Sequence, residues 1–254
     1  MNPKLAHNDI PLIGMAPELR QLIRAIEKGE SVLLLGAPGS GKTRLIECVE
    51  QALVGDARPV HIAHFEKLHD LLLILTKRLI ESGHKAVNGR LPNCASAERW
   101  LAQQTSVHLK GLLWQALEAE PRVLILDGVM DASFPVYRFL QRLYHMPGMA
   151  LLAAARARAK LGALNRLFWD PRRTIQLEPL SDREASLLSN RAIEHFGVCH
   201  PGLDEFREKA LAAAKGNPGQ IMEMCRLVAK PQYVSGSYIK FALIRIDAMT
   251  KYLG

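Results

Sequence analysis

The sequence has no apolar stretch long enough to cross a membrane. Its longest apolar runs are Leu71–Leu75 and Met149–Ala155, and an arginine directly follows the second. Both are far shorter than the roughly 20 residues that a membrane-spanning helix needs. The N-terminal stretch Met1–Ile10 is polar and does not have the pattern of a signal peptide. We therefore expect a soluble, cytoplasmic protein without a membrane partner.

Cysteine is scarce, and neither cysteine nor histidine is spaced for a metal site. The cysteines are scattered and form no CxxC pair: Cys48, Cys94, Cys199 and Cys225. This pattern argues against a disulfide framework or a zinc knuckle. His61 and His64 stand at the end of a predicted strand, but no third ligand stands at metal spacing. We expect no metal other than the magnesium discussed below.

Acidic and aromatic residues are also in short supply. The chain has 33 Lys and Arg against 25 Asp and Glu, which gives a net charge of +8. An excess of this size points weakly to a polyanionic partner. Aromatic residues make up only 6% of the chain. Trp100 and Trp114 lie in a predicted core helix, so the aromatic residues do not favour stacking on nucleic-acid bases.

The 254-residue chain alternates short apolar runs with longer amphipathic ones. This alternation is typical of a parallel sheet covered by helices. The short runs predict five strands: Ser31–Leu35, Pro59–Ala63, Arg122–Leu126, Met149–Ala155 and Thr174–Leu177. Helices are predicted over Lys42–Leu53, Leu68–Ser82 and Ser96–Glu120, with a loop over Gly83–Pro92. The expected fold class is α/β, a three-layer αβα core.

The character of the sequence changes near residue 180. Ser181 and Glu184 form a Ser-x-x-Glu capping box, which marks the start of a helix. Helices are predicted from there to the end of the chain: Ser181–Phe196, Leu203–Ala214, Pro218–Val228 and Ser237–Leu253. We therefore predict two parts, an α/β core over residues 1–180 and a small helical subdomain over residues 181–254.

The strongest motif is a phosphate-binding loop, Gly36-Ala37-Pro38-Gly39-Ser40-Gly41-Lys42-Thr43. It matches the pattern G-x-x-x-x-G-K-S/T between a predicted strand and a predicted helix. In such loops the backbone amides and the helix N-terminus cradle phosphates, the lysine reaches the β and γ oxygens, and the hydroxyl ligates magnesium. We predict binding of ATP or ADP with Mg²⁺, and we add Arg44, which follows the loop, to the cofactor-binding residues.

An acidic residue ends the third predicted strand. Asp127 directly follows four apolar residues, where a carboxylate is costly to bury without a cation. We predict that it is the second magnesium anchor; the alternative is an aspartate that begins an Asp-Gly turn. Many P-loop ATPases place a glutamate next, but this chain has Gly128. Asp131 is the nearest later acid, and it either holds the attacking water or caps the following helix.

These residues resemble the AAA+/STAND side of the P-loop ATPases, over most of the chain. Leu12-Ile13-Gly14 is similar to the box that opens such domains, although Met15 replaces its arginine. The resemblance implies that residues 10–14, including Ile13, lie beside the adenine. Asp127-Gly128 with Asp131 is similar to the D-G-h-x-D/E form of STAND proteins, which implies that Asp131 is the catalytic acid.

The resemblance continues into the helical part. Residues 177–185 are similar to the segment that leads into the AAA+ lid, and Gly216-Asn217-Pro218 to the lid's G-N-P turn. The resemblance implies that Pro218 packs near the nucleotide. The same region is similar to the secretion-ATPase and transposition-helper group, whose turn carries an arginine. This chain has Gly219-Gln220 there, and Arg226 is a poor substitute.

Several arginines follow the fourth predicted strand. Arg156 resembles the arginine that senses the γ-phosphate in AAA+ proteins; the alternative is a solvated residue at a strand end. Five further basic residues follow it: Arg158, Lys160, Arg166, Arg172 and Arg173. They are a solvated face, the source of an arginine finger for a neighbouring subunit, or a contact for DNA or RNA phosphates.

We favour the function of a nucleotide-dependent switch or remodelling ATPase, in which ATP closes the lid and promotes self-association. Hydrolysis would be slow or dependent on a separate protein partner, because Gly128 replaces the usual glutamate. The alternatives are a DNA-binding helper ATPase of the transposition or replication-regulator type, and a nucleotide-binding scaffold with negligible turnover.

Overall fold

The short apolar runs form a five-stranded sheet. The computed structural model describes residues 10–53, 59–89 and 97–251. The strands of the sheet are Val32–Leu35 (β1), Val60–Ile62 (β2), Val123–Leu126 (β3), Ala150–Ala155 (β4) and Thr174–Gln176 (β5). Each lies within the stretch predicted for it.

The sheet is parallel, with the strand order β2-β3-β4-β1-β5. In this register Leu33 of β1 faces Ala153 of β4 and Thr174 of β5. The carboxyl ends of β3, β4 and β1 therefore stand side by side. In open α/β sheets this is the edge beside which ligands bind.

Helices connect the strands. In chain order they are Ala16–Glu27 (α1), Lys42–Ala52 (α2), Leu68–Glu81 (α3), Lys85–Asn88 (α4), Ala97–Ala102 (α5), Ser106–Ala119 (α6) and Phe134–Tyr144 (α7). Successive residues of β1, β3 and β4 are all buried, so both faces of the sheet are covered. One face shares a hydrophobic core with residues of α3, α6 and α7.

Between β2 and β3 the structure differs from the prediction in two places. The stretch Ser96–Glu120 contains two helices rather than one, because the Thr105 side chain accepts a hydrogen bond from the His108 amide and starts α6 there. The predicted loop Gly83–Pro92 contains the single-turn helix α4, and residues 90–92 lie outside the described part of the chain.

The C-terminal part is helical, with one short hairpin. Its elements are Asp182–His195 (α8), Leu203–Ala214 (α9), Pro218–Val228 (α10), Val234–Ser235 (β6), Tyr238–Ile239 (β7) and Phe241–Thr250 (α11). The last helix begins later than predicted because Gly236, at φ +58°, turns the chain into the antiparallel pair β6–β7. The predicted capping box is present: the Ser181 amide donates to Glu184, and the Glu184 amide donates to Ser181.

The chain divides into two compact units. The first comprises the chain up to Ala16, Ala37–Leu45 and the chain from Leu177 onward; the second comprises Pro17–Gly36 and Ile46–Gln176. Most of the phosphate-binding loop is thus grouped with the helical part. The predicted division at residue 180 stays a prediction. In the part of the chain that the structure describes, no helix is long and apolar enough to span a bilayer.

Candidate functional site

The phosphate-binding loop leaves the sheet at the carboxyl end of β1. The Gly36 amide donates to the Ala155 carbonyl over 3.3 Å and continues the β1–β4 ladder by one residue. The chain then turns, with the Ser40 amide donating to the Ala37 carbonyl at 3.1 Å. Gly39 and Gly41 have φ values of +77° and +93°. Side chains rarely tolerate this backbone, so these glycines set the shape of the loop.

The loop presents cationic and hydroxyl groups at the start of α2. The Lys42 ammonium donates to the Ala37 carbonyl at 3.0 Å and lies 3.4 Å from the Ser40 hydroxyl, so it is held over its own loop. Thr43 is exposed in the first turn of the helix. A helix N-terminus attracts anions through its amides and dipole. An ammonium, amides and a hydroxyl together suit a phosphate group and its magnesium ion.

A turn of the helical part is hydrogen-bonded to the loop. The Asn217 side chain donates from Nδ2 to the Pro38 carbonyl at 2.9 Å, and the Gly219 amide donates to the Gly39 carbonyl at 2.8 Å. Oδ1 of Asn217 accepts from the Gln220 amide at 3.0 Å and so caps α10. One asparagine therefore both starts the helix and binds the loop.

Pro218 lies beside the same loop. A Cβ placed on Gly41 would stand 3.8 Å from Cγ of Pro218 and 2.7 Å from Cε of Met15. Met15 is buried, with 4% of its surface exposed. Met15 stands where the similar N-terminal motif has an arginine, and its thioether packs against the loop backbone. A side chain on Gly41 would displace it.

The N-terminal segment contacts both the loop region and the helical part. Arg44 donates from Nη2 to the Ile10 carbonyl at 3.2 Å. Gly14, at φ +75°, packs closely against Leu180. A Cβ at this position would lie only 2.4 Å from Cδ2 of Leu180. Ile13, predicted to line the base, is half-buried in this segment.

Asp127 begins a turn at the carboxyl end of β3, in the second unit. Its amide donates to the Ile62 carbonyl at 3.0 Å, and its side chain is half-buried. Gly128 follows at φ +64°. The Val129 amide then donates to the Ala154 carbonyl of β4 at 3.0 Å. A glutamate at position 128 would have to adopt a left-handed backbone, which explains why glycine stands there.

Asp131 is held in a strained conformation. Its φ is +44°, in the left-handed region, and its amide donates to the Lys160 carbonyl at 2.7 Å. The next residue, Ala132, bridges to Gly162. Ser133 stands at the N-cap position of α7 without a side-chain cap hydrogen bond, and within the described residues the Asp131 side chain accepts no hydrogen bond from that helix. The exposed Asp131 carboxylate is therefore not engaged in capping.

Arg156 directly follows β4, where its side chain is exposed. Arg158, by contrast, is built into the fold: it donates to Thr174 at 2.7 Å, to Asn165 at 3.2 Å and to the Phe168 carbonyl. Arg158 is thus a poor candidate for a contact in trans.

The last two arginines of the cluster also have partners within the chain. Arg172 pairs with Asp170, with 3.0 Å between Nη2 and Oδ2, and its hydrogen bond holds the pKa of Asp170 below its usual range. Arg173 donates to the Tyr144 hydroxyl at 3.2 Å. The Arg172 side chain is nonetheless 87% exposed.

The predicted site residues fall into two groups. The first unit holds Lys42, Thr43, Arg44 and the rest of the loop after Gly36, together with Ile13 and Pro218; the second holds Asp127, Asp131 and Arg156. Asp127, Arg156 and Gly36 follow adjacent strands of the sheet.

Sequence reasoning missed three residues that contact the loop: Met15, Asn217 and Gly219. An asparagine directly before a proline at a helix start was the available signal for Asn217. His61 lies 3.3 Å from Glu50, and the described residues contain no group of three His, Cys, Asp or Glu placed to hold a metal.

A protein-family model, the AAA ATPase domain, matches residues 11–155 of this chain. A comparison with curated proteins gave no match.

Among solved structures, the chain is similar to a Walker-type ATPase of Pyrococcus abyssi, with a TM-score of 0.63, 14% identity and coverage of 99% of this chain and 75% of that one. It is also similar to a RuvB mutant from Thermotoga maritima, with a TM-score of 0.56 and 17% identity. The match covers 94% of this chain and 71% of that one. A STAND protein with a tetratricopeptide repeat sensor from Pyrococcus horikoshii gives a TM-score of 0.50 at 16% identity. That match covers 91% of this chain and 32% of the other. At these identities the likeness concerns the fold.

Proposed function

Because this chain belongs to the AAA ATPase domain family, we propose that it binds ATP and ADP with Mg²⁺ and acts as a nucleotide-dependent switch or remodelling ATPase. The phosphates bind the loop Gly36–Thr43, with Lys42 on the β and γ oxygens. ATP then closes the helical lid and promotes self-association. A ligand can drive such a change only if it binds one arrangement more tightly than the other.

The observation that carries this proposal is the hydrogen bonding between the lid turn and the loop. Asn217 and Gly219 hold the carbonyls of Pro38 and Gly39, at 2.9 Å and 2.8 Å. Any movement of the loop on binding phosphate is therefore transmitted to the start of α10. This linkage supports a lid whose position depends on the nucleotide.

Thr43 and Asp127 are the residues that would hold magnesium. Both offer oxygen ligands, and Mg²⁺ bound beside phosphates needs only one or two from the protein. When bound, the ion neutralises charge on the phosphate oxygens. Arg156 is proposed to sense the γ-phosphate, and Ile13 and Pro218 to line the nucleotide.

Hydrolysis is proposed to be slow or dependent on a partner. Position 128, at φ +64°, disfavours the usual glutamate. Asp131 is the proposed catalytic acid that holds the attacking water. A separate protein partner is expected to supply the regulation. The mass of the protein, measured with ADP and with a non-hydrolysable ATP analogue, tests self-association: an unchanged mass would contradict that part of the proposal.

The central test is ATP binding by calorimetry. Lys42→Ala removes the ammonium and should reduce ATP affinity at least tenfold, because a charged hydrogen bond contributes about 1.5–3 kcal/mol. Lys209→Ala is the matched control, since that lysine pairs with Glu205 on α9. Wild-type affinity in Lys42→Ala would overturn the proposed binding mode.

Catalysis has its own test. Asp131→Asn keeps the size of the side chain and removes its basicity. Steady-state phosphate release should then fall about 100-fold, a typical contribution of acid–base catalysis, while ATP affinity changes little. Equal release rates in both proteins would show that Asp131 is not the catalytic acid. No release from either would favour a nucleotide-binding scaffold.

A further inference from the structure

A groove lined by aromatic and basic side chains runs between α6 and α7, beside the start of α3. Its volume is about 630 Å³, within the range of clefts that bind organic ligands. Its lining residues are Leu68, Lys110, Trp114, Phe134, Pro135, Arg138, Phe139 and Arg142. This lining includes no acidic residue. The groove lies wholly within the second unit and contains none of the residues assigned to nucleotide binding.

The cations of the groove have no carboxylate partners among the described residues. Lys110 and Arg138 form no ion pair there, and the Arg142 guanidinium lies instead over an aromatic ring. Several other exposed basic residues of this chain are paired with an acid, as Arg172 is with Asp170 and Lys209 is with Glu205. Three positive charges that line one groove repel each other, and an anionic partner would reduce that repulsion.

Two arginine guanidinium groups of the groove lie over its aromatic rings. The Arg142 guanidinium lies 4.2 Å from the centroid of Trp114, and that of Arg138 lies 5.0 Å from the centroid of Phe134. Trp114, expected in the core from its helical spacing, is half-buried and lines the groove. Phe134 keeps 46% of its surface exposed at the mouth of the groove and stacks on Tyr137 at 5.5 Å.

Flat aromatic and guanidinium surfaces bind other flat rings by stacking, and unpaired cations bind phosphates. Nucleobases with their backbone supply both groups at regular spacing, and single strands expose the base faces that a duplex hides. An acidic peptide satisfies the cations but supplies no ring to cover the 46% of Phe134 that stays exposed beside Tyr137 and Arg138. We propose that this groove binds single-stranded nucleic acid, with phosphates on Lys110 and Arg138 and a base stacked on Phe134.

The net charge of +8 supports the same partner class, since excess positive charge speeds association with polyanions. The groove does not include the phosphate-binding loop. Oligonucleotide binding is therefore expected without added ATP, and Lys42→Ala should bind the oligonucleotide as tightly as the wild type. A failure of the proposed ATPase function would thus leave this inference standing, and the reverse also holds.

The test is fluorescence anisotropy of a labelled 20-nucleotide oligothymidylate, titrated with the full chain across a salt series. Phe134→Ala should raise Kd about 5- to 100-fold, the range seen when a stacked base loses its aromatic partner. Arg138→Ala should weaken binding and reduce the salt slope by about 0.7, the value for one phosphate contact on a single strand. Arg138 is exposed, so its variant is expected to fold normally.

Two controls remove similar groups from another surface. Arg183→Ala takes away an exposed arginine of α8, and Tyr238→Ala takes away a ring that is 65% exposed on β7. Both should bind like the wild type. Intrinsic tryptophan fluorescence gives a second readout, because the bound oligonucleotide should quench Trp114. Trp114→Phe should therefore lose this quenching, and Trp169→Phe should retain it.

Three outcomes would overturn the proposal. The first is a Kd for Phe134→Ala and Arg138→Ala no different from that of the two controls. The second is duplex DNA of equal length binding more tightly than the single strand, which would make the contact one of charge alone. The third is an oligoglutamate peptide competing as well as the oligonucleotide, which would identify an acidic peptide as the partner.

Discussion

Two groups join the helical part to the phosphate-binding loop, the Gly219 amide and the Asn217 side chain. The Asn217 side chain has two functions, which can be separated by substitution. Its Oδ1 caps α10 through the Gln220 amide, and its Nδ2 donates to the Pro38 carbonyl. Asn217→Ala removes both hydrogen bonds. Asn217→Ser keeps an oxygen that can cap the helix but lacks the amide donor that reaches the loop.

The magnitudes follow from these two hydrogen bonds. Loss of an N-cap costs about 0.5–2 kcal/mol of stability, so Asn217→Ala should lower the melting temperature more than Asn217→Ser does. Loss of the donor to Pro38 removes about 0.5–1.5 kcal/mol that orders the loop. If the loop must be ordered to bind phosphates, Kd for ATP should rise about 2- to 12-fold in both variants.

Calorimetric titration with ATP, combined with thermal unfolding, distinguishes the two effects. Ser181→Ala is the matched control, because Ser181 caps α8 through Glu184 and belongs to a different helix of the same part of the chain. It should lose stability and keep ATP affinity. If Asn217→Ser binds ATP within twofold of the wild type, the hydrogen bond to Pro38 does not order the loop, and the proposed linkage fails.

Three further predictions concern stability and reactivity. Gly162 has a φ of +58°, and Gly162→Ala places a Cβ 2.6 Å from the Ala132 amide nitrogen. Denaturant unfolding should therefore show a loss of more than about 2 kcal/mol in the free energy of unfolding. The control Gly83→Ala, at φ +75° with nothing within 4 Å, should lose only about 1–2 kcal/mol. Burial would raise the pKa of Glu223, but hydrogen bonds from Arg226 and Lys251 lower it to about 2. The ionised Glu223 therefore stabilises the fold fully above pH 4.5, and this stabilisation is lost as the pH falls toward 2. In thermal unfolding at pH 7, Glu223→Gln should lower the free energy of unfolding by about 2–3 kcal/mol, and the difference from the wild type should disappear at low pH. Burial raises the pKa of the Cys225 thiol to about 11, so in a thiol-labelling assay on the native protein the exposed Cys199 should react and Cys225 should react only after unfolding.

The sequence predicted well those features that depend on neighbouring residues. Runs such as Val123–Leu126 are apolar throughout because both faces of a parallel strand are buried, and a run of this kind is visible in any window. The capping box at Ser181 is equally local, since its two hydrogen bonds join residues three positions apart. The strand and the helix that confirm the phosphate-binding motif adjoin it directly.

Other features depend on residues far apart in the chain, and these were missed or left open. The position of β4 between β1 and β3 rests on pairings such as Leu33 with Ala153, which no local pattern encodes. The hydrogen bond from Asn217 to Pro38 spans 179 positions. Two misses were local, the helices α1 and α7. In α1 the buried Leu22 and Ile26 are four positions apart. In α7, Val136, Phe139, Leu140 and Leu143 have the spacing of an amphipathic helix, with Pro135 in its first turn.

The second acid illustrates how structure narrows a choice that the sequence left open. Sequence alone gave Asp131 two roles, holding the attacking water or capping a helix. Ser133 stands at the N-cap position without a side-chain cap hydrogen bond, and in the described part of the chain the Asp131 carboxylate accepts no hydrogen bond from α7. A non-glycine residue at φ +44° costs about 1–2 kcal/mol and persists only when its surroundings impose it, here through the Lys160 carbonyl and the Ala132–Gly162 bridge. The chain thus places glycine where related ATPases have glutamate and retains a strained aspartate three residues later. Strain that is retained without a capping role is the best reason to test Asp131 first in hydrolysis.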